Sequence, residues 1–159
     1  LEGIKTADVP AVTDANSNGT LDANEVNNAK EEVAKALKAA QAAQEKKDEL
    51  ERNGVVNPSD VEALENLNKE VTKAKEDANQ AVEALPEGAT SGEDTKDSLQ
   101  KALEGIKTAD VPAVTDANSN GTLDAIEVNN AKEKVAKALK AAQAAQEKKD
   151  ELERNGVVN

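Results

Sequence analysis

Between Asp22 and about Asn53 the apolar residues Val26, Val33, Leu37, Ala40, Ala43 and Leu50 recur at intervals that place them along one helical face, with Lys, Glu, Gln and Asp between them. The spacing predicts a first long helix. Asn53-Gly54 ends it, because glycine accepts the left-handed conformation at which helices stop, and Asn57-Pro58-Ser59-Asp60 supplies an N-cap, a proline at the first helical position and an acidic first turn. In the second helix Val61, Leu64, Leu67, Val71, Ala74, Ala78, Val82 and Leu85 follow three and four apart towards Pro86. Each helix should be roughly 40–45 Å long at 1.5 Å per residue, and the short connection makes the two antiparallel neighbours. Pro86 to Gly92 reads as a loop. A short third helix carrying Leu99, Ala102 and Leu103 ends at Gly105. Ile106 to Thr115, with Pro112 and the β-branched Val111 and Val114, should be extended. At about 3.3 Å per residue it would run along the rest of the groove between the long helices.

The same letters then begin again. Residues 1–57 return as 103–159, and over these 57 pairs only Asn24→Ile126 and Glu32→Lys134 differ. Asp124 to about Asn155 therefore repeats the first helix without a second or third to follow it, so its stripe of Val128, Val135, Leu139, Ala142 and Leu152 should face water. A period of 102 residues is long for a solenoid repeat and close to one small domain.

Each copy contains Asp-Ala-Asn-Ser-Asn-Gly-Thr-Leu-Asp-Ala-Xaa-Glu, the spacing of a twelve-residue EF-hand calcium loop. Asp14, Asn16, Asn18, the Thr20 carbonyl, Asp22 and Glu25 fall at positions 1, 3, 5, 7, 9 and 12. Asp116, Asn118, Asn120, Thr122, Asp124 and Glu127 do so in the second copy. Gly19 and Gly121 take the sharp turn at position 6, and Leu21 at position 8 is expected to tuck inward. A calcium ion needs six to eight oxygens, and alternating side chains wrap around one point before the helix delivers a glutamate. The competing reading makes Asp22-Ala-Asn-Glu25 a capping box and Asn18-Gly19 a turn, which leaves Asp14 and Asn16 without a role. Two calcium ions are expected, one per loop. Pro10 and Pro112 precede the loops by four residues, so no entering helix is expected, and without methionine a sensor's groove is not expected either. Glu49 to Asn57 faintly echoes another loop, but helix capping accounts for its residues. The chain divides accordingly: 1–13 as the end of a preceding repeat, 14–115 as a calcium loop with a three-helix repeat, and 116–159 as the next loop and first helix. The expected fold class is all-α, an elongated three-helix bundle repeat with EF-hand-like calcium loops linking successive repeats.

Composition sharpens this picture. The chain has no Phe, Tyr, Trp, Met, Cys or His, so any core must be built from Leu, Ile, Val and Ala and should be thin. Without cysteine there is no disulfide brace, and a metal is the natural substitute. The net charge of −12 argues against nucleic acid and anionic lipid as partners, and no apolar run reaches the roughly 20 residues that cross a bilayer. An enzyme is not expected, because no His or Cys is present to form a base–nucleophile pair.

Asn53-Gly-Val-Val-Asn-Pro58, Ala81-Val-Glu-Ala-Leu-Pro-Glu-Gly88 and the two Asp-Ala-Asn-Ser-Asn-Gly loops together resemble the GA-like helical repeats of giant bacterial surface adhesins exported by type I secretion and associated with biofilms. The resemblance implies an extracellular stalk on a bacterial surface, with adjacent repeats of the same protein as its partners and self-association through the unpaired terminal helix. GA-like modules elsewhere include albumin binders, but no albumin-contacting motif maps onto this sequence. A host-protein-binding module and a calcium buffer stand as alternatives. The first would need exposed anchors where only Arg52 and Arg154 are offered, and the second is opposed by three carboxylates per loop.

Overall fold

The structure, a computed structural model, describes residues 2–157; Leu1, Val158 and Asn159 lie outside the described residues. Four helices account for most of it: α1 (Asp22–Asn53), α2 (Pro58–Glu83), α3 (Lys96–Glu104) and α4 (Asp124–Asn155). Between α2 and α3 lies a hairpin of two antiparallel strands, β1 (Thr90–Ser91) and β2 (Asp94–Thr95), the first of them inside the Pro86–Gly92 segment expected to be loop. Gly92, at φ 61°, turns it.

The chain folds back where the sequence requires it. Gly54 takes φ 71° and its N–H closes α1 on the Leu50 carbonyl at 3.0 Å. Asp60 accepts the Asn57 N–H at 3.0 Å behind Pro58 at the first helical position, while Asn57 Oδ1 is buried without a donor. Lys46, late in α1, lies 3.4 Å from Asp60, early in α2. At the other end Glu25 and Ala29 line a common concavity with Ala81 and Leu85. The two long helices are therefore antiparallel.

Val26, Ala29, Val33, Ala36, Ala43 and Leu50 from α1 meet Leu64, Val71, Ala78 and Val82 from α2, with Leu99 and Leu103 of α3 closing the core. Leu37, placed on this face by its spacing, is instead 48% exposed, and Ala36 beside it is fully buried. The stripe runs through the alanine because a small side chain lets the helices approach closely. Burial of this Leu, Val and Ala surface, at roughly 25 cal/mol per Å², is the main force holding the helices together.

α3 covers only part of the groove, and the chain continues without regular structure along the rest. Lys75 Nζ donates to the Ile106 carbonyl at 2.8 Å. Asn68 then clasps Ala109 twice, its Nδ2 donating to the carbonyl at 2.8 Å and its Oδ1 accepting the N–H at 2.9 Å. Thr115 finally reaches Val56, its N–H donating to that carbonyl at 2.9 Å. The partners step down α2 to its start, so residues 106–115 deliver the second loop to the end of the bundle opposite the hairpin. At the hairpin end the half-buried Lys96 donates to the carbonyls of Glu83 and Leu85, and Ser91 Oγ donates to Asn27 Oδ1 at 2.6 Å. Lys30 pairs with Asp94 at 2.9 Å, and this hydrogen bond holds its pKa above the ordinary lysine value. The hydrogen bond that Lys47 donates to Glu51 raises its pKa in the same way.

α4 is different. None of its residues is buried, and Val128 and Val135 are 66% and 67% exposed, although their counterparts in α1, Val26 and Val33, lie in the core.

Candidate metal centre

Both loops close in the same manner. Asp14 accepts two backbone donors, the Asn18 N–H on Oδ1 at 3.1 Å and the Gly19 N–H on Oδ2 at 2.9 Å. Asn16 Oδ1 accepts the Asn18 N–H at 3.3 Å, and Asn18 Oδ1 accepts the Thr20 N–H at 2.9 Å. Each side chain thus fixes the backbone two to five residues on, which winds the chain inward. Gly19 sits at φ 86° and Ser17 at φ 57°, both in the left-handed region. The second loop repeats these bonds through Asp116, Asn118 and Asn120, with the Asp116 bonds at 3.2 and 2.8 Å.

The amide groups of Asn16 and Asn18 both point at Glu25 Oε1, so that three side chains from loop positions 3, 5 and 12 converge. Asn118 and Asn120 converge on Glu127 in the same way. Asp22 and Asp124 turn back instead, each accepting the N–H of the residue after the loop's first aspartate, Ala15 and Ala117, at 3.0–3.2 Å. The capping-box alternative is thereby corrected. The N-cap of α1 is Leu21, with no side-chain cap, and Asp22 braces the loop's entrance. Leu21 is also not tucked in: it lines a shallow concavity with Val12 and Ala89, whose small side chain leaves it 51% exposed.

These residues suit a hard cation in donor type, since Asp14, Asn16, Asn18, the Thr20 carbonyl and Glu25 all carry oxygen, although Asn16 and Asn18 here turn Nδ2 towards Glu25 and Oδ1 towards backbone N–H groups. Among the described residues no three acidic side chains gather into one cluster, because amides rather than carboxylates occupy positions 3 and 5. One atom is out of balance. Glu25 Oε2 is buried and has no hydrogen-bond partner. A carboxylate oxygen removed from water with nothing to offset its charge is costly, and a cation at that point would neutralise it.

The loops differ in what surrounds them. Asp116 is fully buried, whereas Asp14 is only half-buried. The Asp116 and Thr115 N–H groups both donate to the Val56 carbonyl, at 3.1 and 2.9 Å, while Thr115 Oγ1 accepts the Val56 N–H at 2.7 Å and lies 3.3 Å from the Gly54 carbonyl. The turn between α1 and α2 holds the second loop's entrance. Residues 2–13, which enter the first loop, are exposed throughout. Sequence reasoning placed the loop residues but missed Thr115, although a threonine stands before both loops at Thr13 and Thr115. Away from the loops an open concavity of about 730 Å³ lies between α2 and the extended segment, lined by Val71, Lys75, Asn79, Ile106 and Asp110.

A long antiparallel helix pair, a short third helix and a strap along their groove define a helical-bundle domain. The chain belongs to the GA-like domain family, whose sequence profile matches residues 26–125. That span runs from the second turn of α1 into the second loop and is close to the repeat length. Neither the curated proteins nor the solved structures compared with the chain give a match.

Proposed function

We propose that the chain is a calcium-braced stalk or spacer repeat of a large bacterial cell-surface adhesin, in which Asp14, Asn16, Asn18, Thr20, Asp22 and Glu25, and their counterparts Asp116 to Glu127, each hold one calcium ion. The reading rests on the unpartnered buried Oε2 of Glu25, the neighbour of the Oε1 on which the amides of Asn16 and Asn18 converge. A cation there would tie the segment entering the loop to the helix leaving it. At the second loop that same tie would join the bundle end at Val56 to α4. In a tandem array it would set the direction of the next repeat, residues 1–13 ending one unit, 14–115 forming a whole one and 116–159 opening another. Near-identical copies fit a spacer, where length matters more than any single side chain. The extracellular bacterial setting comes from the adhesin resemblance.

A host-binding module would present aromatic or arginine anchors, and neither lines the concavity beside Ile106. Calcium titration by calorimetry, followed in parallel by circular dichroism and small-angle scattering, tests the proposal. With three carboxylates per loop, dissociation constants near 10⁻⁴–10⁻³ M are expected, and calcium at 100 times that value should add about 2.7 kcal/mol per site. Absence of uptake at millimolar calcium, or a melting temperature indifferent to chelator, would sink it. Uptake with unchanged shape and stability would indicate a buffer.

A further inference from the structure

The two loops have the same twelve residues apart from Asn24 and Ile126, and their internal hydrogen bonds agree within about 0.1 Å, yet among the described residues only the second is hydrogen-bonded to the bundle at its entrance. We propose that the α1–α2 turn, residues Gly54 to Val56, is a receptor for a loop entrance, and that Thr115 is the positioning residue that couples calcium occupancy of the second loop to the folding of the bundle. This rests on the calcium reading above.

Val56 supplies a carbonyl to two successive N–H groups, those of Thr115 and Asp116, and its own N–H is taken by the Thr115 hydroxyl. That hydroxyl also reaches the Gly54 carbonyl, exposed where α1 ends in its left-handed residue. The first ligand position, Asp116, is thereby pinned in a fully buried place before any ion arrives. A ligand whose position is already fixed loses less freedom on binding, so docking and occupancy favour one another. Thr13 is the matched control. It stands at the identical position before the first loop, is exposed, and makes no side-chain hydrogen bond to the bundle among the described residues.

Thr115→Val keeps the shape and removes only the hydroxyl, which leaves the Val56 N–H without its acceptor. Two full-length variants are compared with the unsubstituted chain, Thr115→Val and Thr13→Val, each by calcium calorimetry and by thermal melting in chelator. The second loop is read alone in a Glu25→Gln background and the first in a Glu127→Gln background. Thr115→Val should weaken calcium at the second loop about tenfold, the equivalent of one lost hydrogen bond, and should lower the chelator melting temperature. Thr13→Val should change neither the first loop's affinity nor the melt. Calcium uptake that the two variants alter equally overturns the coupling while leaving the calcium reading intact. No calcium uptake by the unsubstituted chain overturns both.

Discussion

Glu25 has two oxygens in unequal surroundings: Oε1 receives the amides of Asn16 and Asn18, and Oε2 is buried with no donor. Without a cation that arrangement is unfavourable, since a desolvated charge is only half answered. Glu25→Gln should therefore be neutral or stabilising by up to about 1 kcal/mol in chelator, and destabilising by about 2–3 kcal/mol relative to the parent in saturating calcium. Thermal melts of both proteins under both conditions would show the order reversing. A Gln variant less stable in chelator as well would mean that the carboxylate has a partner of another kind. Two leucines make a simpler contrast. Leu64 is fully buried between the helices, and Leu37 is half exposed. Leu64→Ala should cost about 2–5 kcal/mol and Leu37→Ala under about 1, measured by urea unfolding.

Where the bundle needs a third wall along its whole length, α3 supplies nine residues and an extended strap supplies the rest. Such a strap has no helical hydrogen bonds of its own, so its backbone depends on α2 side chains. Asn68 meets both polar groups of Ala109, and Asn68→Ala should therefore destabilise the fold by about 1–3 kcal/mol, with faster amide exchange between residues 106 and 115. A melt unchanged by the substitution would show that the clasp adds nothing. Asn68 could not be read from the sequence. A polar residue in an amphipathic helix looks solvated, and nothing local signals a backbone partner 41 residues away. Both long helices, the Gly54 stop, the Pro58 start and the extended course of the strap followed from periodicity and backbone chemistry, because these are short-range. The hairpin at Thr90–Thr95 was illegible for the opposite reason, since strands of two residues have no period to detect. At the loops the convergence of Asn16, Asn18 and Glu25 was written in the spacing, while the docking on Val56 arises only in the folded chain.

On the scale of the whole molecule, α1 and α4 share all but two residues, but one is half of a core and the other has no partner among the described residues. Both substitutions change α4 in one direction. Ile126 adds apolar surface at the helix start, and Lys134 in place of a glutamate leaves Lys132, Lys134, Lys137 and Lys140 opposed by Glu133 alone. Further along, the four acids Glu147, Asp150, Glu151 and Glu153 outnumber the three bases Lys148, Lys149 and Arg154. Between these segments lies Ala-Ala-Gln-Ala-Ala (141–145), small enough for two helices to approach closely. An antiparallel copy of α4 would bring the basic segment of one helix against the acidic segment of the other, twice by symmetry, and would shield Val135 and Leu152 from water. The isolated 159-residue chain should thus form a concentration-dependent dimer through α4, weakened by salt. Val135→Glu together with Leu139→Glu should abolish the dimer in sedimentation experiments and leave the bundle's melt unchanged. Val33→Glu, the matching change in α1, should unfold the bundle, because Val33 is only 7% exposed. A chain that stays monomeric at high concentration with amides 128–152 fully protected from exchange would require an intramolecular partner for α4 and would refute the pairing.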